Sequence, residues 1–145
     1  MTVENVTSEG RFGSPLRHET SIRVYYEDTD LAGIVYYANY LKFIERGRSE
    51  WVRSLGVDQA KLRETEGIVF AVRRVEADYL RPAKFDDILT VTTRLLALGG
   101  ARIEVEQMVL RGEERLFEAR VVLVCLSREG AAVRLPAELR GKLSS

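Results

Sequence analysis

Hydrophobic and polar positions change rhythm twice along the chain. Ser21–Tyr26 alternates Ile22, Val24 and Tyr26 against Ser21, Arg23 and Tyr25, which is the period of a strand with one apolar face. From Asn39 the period lengthens. Tyr40, Ile44, Gly47, Trp51 and Leu55 recur every three or four residues, as on one face of a helix. Leu41, Phe43, Arg48 and Val52 widen that stripe, with Phe43 and Arg48 at its margins. Asn39 is read as the N-cap and Gly56 as the stop. Glycine in a helix interior costs about 1 kcal/mol against alanine, so Gly47 in mid-stripe predicts something packed tightly over it.

After the helix, Val57–Gly67 reads as a short polar helix or an irregular connection. From Ile68 the period returns to two. Phe70–Leu80 is a strand whose apolar face switches near Arg73-Arg74, the mark of a bulge. Arg81-Pro82-Ala83 interrupts, and Phe85-Asp86-Asp87 turns the chain. Ile88–Leu98 and Ala101–Leu110 form a hairpin about Gly99-Gly100. Arg111-Gly112-Glu113 turns into a last long strand, Arg115–Leu126. Arg128–Leu135 is expected to add a short edge, and Pro136–Leu143 a terminal helical turn. The fold class is therefore α+β, with one antiparallel sheet curled around an early apolar helix. Such a sheet has free edges and an exposed face, which a homo-oligomer would cover.

Composition narrows the class without naming a chemistry. The 145 residues suit one domain at 18–145, preceded by a polar arm at 1–17 expected to be mobile. Lys plus Arg and Asp plus Glu are equal at 22 each, so no overall field favours nucleic acid. One cysteine, Cys125, excludes an internal disulfide and suits a reducing compartment. No apolar run is long enough to span a membrane, and the reading is cytoplasmic. A single histidine, His18, and one cysteine argue against a zinc site.

The chemistry-bearing stretch is Glu27, Asp28 and Asp30, followed by the small turn Ala32-Gly33, the run Ile34–Tyr37 and the helix. A carboxylate just ahead of a helix start can act as base or nucleophile, while unpaired helix N–H groups hold a developing anion. Gly33 lets the backbone approach a substrate closely. On spacing alone Asp30 reads as a turn-forming or helix-capping residue. Asp28 and Glu27 read as a solvated pair or as salt-bridge partners. Glu45 reads as pairing with Arg48 three residues on. Tyr36, Tyr37 and Tyr40 fit either a pocket lining or the core. Cys125, in VVLVCL, reads as buried and inert.

The segment YEDTDLAGIVYYANY at Tyr26–Tyr40, with Phe43, Glu45 and Arg48, resembles the opening motif of the hot-dog-fold 4-hydroxybenzoyl-CoA thioesterase family. Tyr79–Asp87 with Leu89-Thr90-Val91 is similar to that family's strand-turn-strand segment, closest to its Tol-Pal-associated acyl-CoA thioesterase branch. Tyr37 stands where many members of that branch carry histidine. The resemblance implies a long central helix wrapped by a curved antiparallel sheet of about five strands. It also implies a dimer, or a tetramer of two dimers, with active sites at the subunit interface.

In site terms it implies Asp30 as catalytic carboxylate and the backbone around Tyr37 as the carbonyl-polarising group. Gly33, Ile34, Val35, Tyr36 and Tyr40 would line the acyl group, with Glu45 a second choice for the carboxylate. Arg73, Arg81 and Arg102, with Arg74 and Lys84, would meet the phosphates of coenzyme A. The implied substrate is a short-chain aliphatic or aromatic acyl-CoA, with an acyl carrier protein as a further partner and no separate cofactor or metal. A non-catalytic acyl-CoA or acyl-carrier-protein binding scaffold would need the fold but not Asp30. A hydratase would need a histidine base with a carboxylate, and His18 lies outside the helix region.

Overall fold

The computed structural model describes residues 16–144. The arm expected at 1–17 falls outside these except for Leu16 and Arg17, and Arg17 already belongs to the first strand. In chain order the elements are β1 (Arg17–Arg23), α1 (Asn39–Ser54), α2 (Gln59–Glu66), β2 (Val69–Tyr79), β3 (Ile88–Leu98), β4 (Arg102–Arg111), β5 (Glu114–Leu126) and α3 (Ala137–Ser144). A single 3-10 turn, Tyr26–Asp28, links β1 to the loop before α1. The strands form one five-stranded antiparallel sheet in the order β1-β3-β4-β5-β2. This is the hot-dog arrangement, with α1 packed on one face of the sheet.

Alternation along β3, β4 and β5 sends Leu89, Val91, Ile103, Val105, Val109, Phe117, Val121 and Leu123 to the helix side, where they are buried with Phe43, Ile44 and Trp51. Gly47 is where helix and sheet come closest. A Cβ built there would lie 2.6 Å from Val91 Cγ1 and 3.3 Å from Gln107 Nε2. Gly47→Ala would gain about 1 kcal/mol in helix propensity but overpack a buried contact, at a cost of roughly 1–3 kcal/mol. The expected net result is a destabilisation of about 0–2 kcal/mol, read from the urea midpoint at unchanged m-value.

Several boundaries differ from the sequence expectation for local reasons. The first strand ends at Arg23, not Tyr26, because the Tyr25 N–H donates to Asp28 Oδ2 at 2.8 Å and the chain coils into the 3-10 turn. Asp28 is therefore a buried structural carboxylate and not a solvated one. Asn39 is the first helical residue and does not cap, since Ala38 occupies the cap position. The Asn39 side chain instead donates to the Asp28 carbonyl at 3.1 Å, tying the helix start to the turn. Phe43 is fully buried at the centre of the stripe, whereas Leu41 is exposed. The polar segment after α1 is helical, capped by Asp58 Oδ1 accepting from the Lys61 N–H and ended by Gly67 at φ 70°. The expected bulge in β2 is present between Val72 and Arg74. Residues 128–135 form no strand, only a bridge between Leu126 and Ala132, and they lead into α3.

His18 sits in β1 against α1. Burial lowers its pKa below the ordinary histidine value, with Glu50 and Glu19 pulling weakly the other way. The unfolded chain then binds the proton more readily, so this contribution to stability is intact above about pH 6.5 and is lost as pH falls toward the lowered value. His18→Gln is expected to flatten the loss of stability below about pH 6.5, measured by denaturant unfolding across that range.

Candidate active site

The loop between the 3-10 turn and α1 is folded back on itself. Thr29 bridges Val35, the Asp30 N–H donates to the Ile34 carbonyl at 2.9 Å, and the Gly33 N–H donates to the Asp30 carbonyl at 3.0 Å. Gly33 has φ +79°, the left-handed conformation that glycine adopts without penalty. The Ala32 N–H donates to Asp30 Oδ1 at 2.9 Å, which orients the carboxylate while the residue stays exposed. The turn-forming reading of Asp30 is thus observed directly. One oxygen forms the turn, and the other meets no donor among the described residues.

One residue beyond this narrow loop, the Tyr36 N–H is taken up by the Asp28 carbonyl at 2.9 Å. The next two backbone N–H groups, of Tyr37 and Ala38, donate to no described group, and α1 begins directly after them. They are the orphan donors of a helix start, on the same segment as the carboxylate. A carbonyl oxygen that gains charge during attack would be stabilised there.

Aromatic residues fix the segment to the sheet. Tyr40 is buried, with its ring stacked on Phe117 at 5.1 Å, and its Oη accepts from the Ala83 N–H at 2.9 Å. The Val35 N–H in turn donates to the Ala83 carbonyl at 2.9 Å, and Ile34 bridges Lys84. Tyr40 and Val35 are therefore core and clamp, not pocket lining. Tyr36 and Tyr37 are exposed, with ring centroids 5.0 Å apart, and Tyr37 meets Tyr79 of β2 edge-on at 6.0 Å. The side chain of Tyr37 thus forms part of an aromatic wall, and its candidate catalytic contribution is its backbone N–H.

The three arginines expected at the coenzyme phosphates are not gathered by one chain. The Arg81 N–H donates to the Leu116 carbonyl at the loop end of the sheet, and its guanidinium pairs with Glu114 at 3.4 Å. Arg102 opens β4 opposite Val124, at the far end of β5, and Arg73 lies in the β2 bulge between. Sequence reading missed Arg111, which holds Asp87 at 2.7 Å and Glu114 at 2.8 Å beside the loop. Burial works against the charge on Asp87, but the Lys84 N–H and Arg111 outweigh it and keep its carboxyl below the usual range.

Glu45 is exposed, six residues into α1, and no ion pair joins it to Arg48. Arg48 donates instead to Gln107 Oε1 at 2.9 Å. Gln107 is fully buried, and its Nε2 donates to the Ile44 carbonyl at 2.8 Å and to Thr93 Oγ1 at 2.9 Å. One signal for this network was available: Gln107 is the single polar member of the inward register Ile103, Val105, Gln107, Val109. Glu45 and Arg48 both face a cavity of about 200 Å³ between α1, the start of β2, the end of β5 and α3. Its walls are otherwise mostly apolar, including Trp51, Phe70, Ile103, Leu123 and Leu139.

The thioesterase superfamily model matches residues 32–118, more than half of the chain. The chain belongs to the thioesterase superfamily. It is 43% identical over 105 residues to the acyl-CoA thioesterase YbgC of Haemophilus influenzae, covering 72% of this chain and 77% of that protein. It is 39% identical over 106 residues to the acyl-CoA thioester hydrolase YbgC of Escherichia coli O6:H1, covering 72% and 78% respectively. Among solved structures, a probable thioesterase from Bartonella henselae superposes with a TM-score of 0.80 at 44% identity, over 83% of this chain and 99% of that one. These similarities place the chain in the YbgC branch of the superfamily. Among the described residues no helix is long and apolar enough to cross a membrane.

Proposed function

We propose that this thioesterase-superfamily chain is an acyl-CoA thioesterase in which Asp30 drives hydrolysis and the Tyr37 and Ala38 N–H groups hold the oxyanion. The observation that carries the reading is the pairing of an exposed, oriented carboxylate with two N–H groups that meet no described acceptor, on one loop. As general base, Asp30 takes a proton from water while the water oxygen attacks the thioester carbonyl. As nucleophile, it forms a mixed anhydride that water then opens. In either route the C–S bond breaks, the sulfur leaves as coenzyme A thiol, and the acyl group leaves as the free acid. The coenzyme is part of the substrate, and no other cofactor enters. A cytoplasmic site of action and an acyl carrier protein as alternative carrier belong to the same reading.

The working unit is a dimer, alone or paired into a tetramer. β2 is an eleven-residue edge strand with no neighbour on its outer side among the described residues. Its helix-side residues Val72, Val75 and Tyr79 are 47%, 37% and 48% exposed, which is unusual for an apolar sheet face in a monomer. The loop end of β2, at Tyr79, and the cavity end, at Phe70 and Val72, lie roughly 23–30 Å apart. Antiparallel pairing of two β2 strands about a two-fold axis would set the Asp30 loop of one chain beside the cavity of its partner. The acyl group would then enter that cavity. A cavity of roughly 150 Å³ lodges a benzene ring, so one of about 200 Å³ suits a short aliphatic or an aromatic acyl group.

The test is thiol release from a panel of 4-hydroxybenzoyl, short, medium and long-chain acyl-CoAs. Turnover is expected for the aromatic and short members, falling steeply as chain length outgrows the cavity. Tight binding across the panel without thiol release would replace this reading with that of a binding scaffold.

A further inference from the structure

Arg48 has an unusual position for a guanidinium. It is largely removed from solvent, on the wall of a cavity whose surroundings are mostly hydrocarbon. That burial lowers its pKa from the ordinary arginine value, with the nearby Glu45 charge opposing. The group offers five N–H donors in a planar fork. Among the described residues one acceptor, Gln107 Oε1, receives from it at 2.9 Å. The Gln107 amide cannot rotate away, because both its Nε2 donors are engaged by the Ile44 carbonyl and Thr93 Oγ1. The interior network therefore fixes Arg48 by one nitrogen at the cavity wall, and its other donors meet no acceptor among the described residues.

Burying a charged donor group beside hydrocarbon is unfavourable unless an acceptor meets it. An entirely apolar ligand filling this cavity would displace solvent from Arg48 and supply nothing in return. A ligand with a suitably placed oxygen would complete its hydrogen bonding, and in a dry site that bond is strong.

We propose that Arg48 is a specificity-determining residue that reads an oxygen acceptor on the acyl group, so that oxygen-bearing acyl groups are preferred over plain hydrocarbon ones of the same size. This rests on the reading that the cavity receives the acyl group. Hydroxyl, carbonyl and carboxylate oxygens share the required chemistry. Glu45, three residues earlier on the same helix, adds a negative charge to the cavity wall that disfavours a carboxylate relative to a hydroxyl.

The experiment compares matched pairs: hexanoyl-CoA with 6-hydroxyhexanoyl-CoA and adipoyl-CoA, and benzoyl-CoA with 4-hydroxybenzoyl-CoA and 4-carboxybenzoyl-CoA. Each is measured with wild type, Arg48→Met and Arg48→Lys. Wild type is expected to favour the oxygen-bearing member by roughly 10- to 100-fold in kcat/KM, as for a hydrogen bond to a charged group. In Arg48→Met the ratio should collapse to within about threefold of one, and Arg48→Lys should recover part of it. A merely structural role for Arg48 would lower both members of each pair together and leave the ratio unchanged, which would overturn the proposal, as would a flat ratio in wild type. Non-hydrolysable thioether analogues of the same pairs, titrated by calorimetry, give the ratio without turnover. If they discriminate while no thioester is hydrolysed, the thioesterase reading falls and the role of Arg48 stands. If turnover is present but neither assay discriminates, only the role of Arg48 falls.

Discussion

Asp30→Asn is expected to lower kcat by about 10²- to 10⁴-fold while leaving the fold and acyl-CoA binding in place. Asparagine keeps an oxygen where Asp30 Oδ1 accepts from the Ala32 N–H at 2.9 Å, so the turn that shapes the loop survives. Other constraints on the loop, among them the backbone bonds from Asp30 to Ile34 and from Gly33 to Asp30, do not involve the carboxylate. What the variant removes is the second oxygen, together with the negative charge that can accept a proton from water or attack a carbonyl. The Tyr37 and Ala38 N–H groups remain, so a residue of catalysis above the uncatalysed rate is expected to persist. The measurements are thiol release under saturating substrate, thermal unfolding, and calorimetric binding of a thioether analogue. Undiminished turnover in a folded variant would move the role to Glu45, the other carboxylate facing bound acyl groups in this reading.

Most of the fold was legible because the chain is locally consistent. Period two, period three to four and turn residues all point to the same helix-on-sheet architecture. Even the tight contact over Gly47 could be read, since a helical glycine in an apolar stripe has few other uses. Three of the misreadings share one cause. Asp28, Asn39 and Tyr40 are polar or amphipathic residues whose roles are set by groups distant in sequence or by the path of the loop. Asp28 resembles its exposed neighbours Glu27 and Asp30 in sequence, yet the Tyr25 N–H and the Asn39 side chain bury it as a structural anchor. Arg48 looked like a helix-surface partner of Glu45 at three residues' spacing. Its actual partner, Gln107, is 59 positions away and becomes available only once β4 lies under α1. The arginines are not gathered within one chain for the same reason, because strand register and not sequence spacing decides which end of the sheet each occupies.

Co-expressing Asp30→Asn with a cavity-blocked variant is expected to restore activity that neither possesses alone. Ser49→Trp is the blocking substitution. Ser49 is half-buried on α1 at the cavity wall, so an indole there fills the space without replacing a core residue. If each site takes Asp30 from one chain and the cavity from the other, a mixed dimer holds two unlike sites. One combines both defects. The other combines the intact Asp30 of the blocked chain with the intact cavity of the Asp30→Asn chain. Random pairing makes half of all dimers mixed and half of their sites whole, so about a quarter of wild-type kcat is expected at equal expression. A site built within a single chain predicts no gain over the separate variants, because every chain would carry one defect. The difference follows from the placement of the two parts along β2. The loop packs at Tyr79 and the cavity opens at Phe70 and Val72, so one strand length separates them within a chain, and two-fold pairing removes that separation.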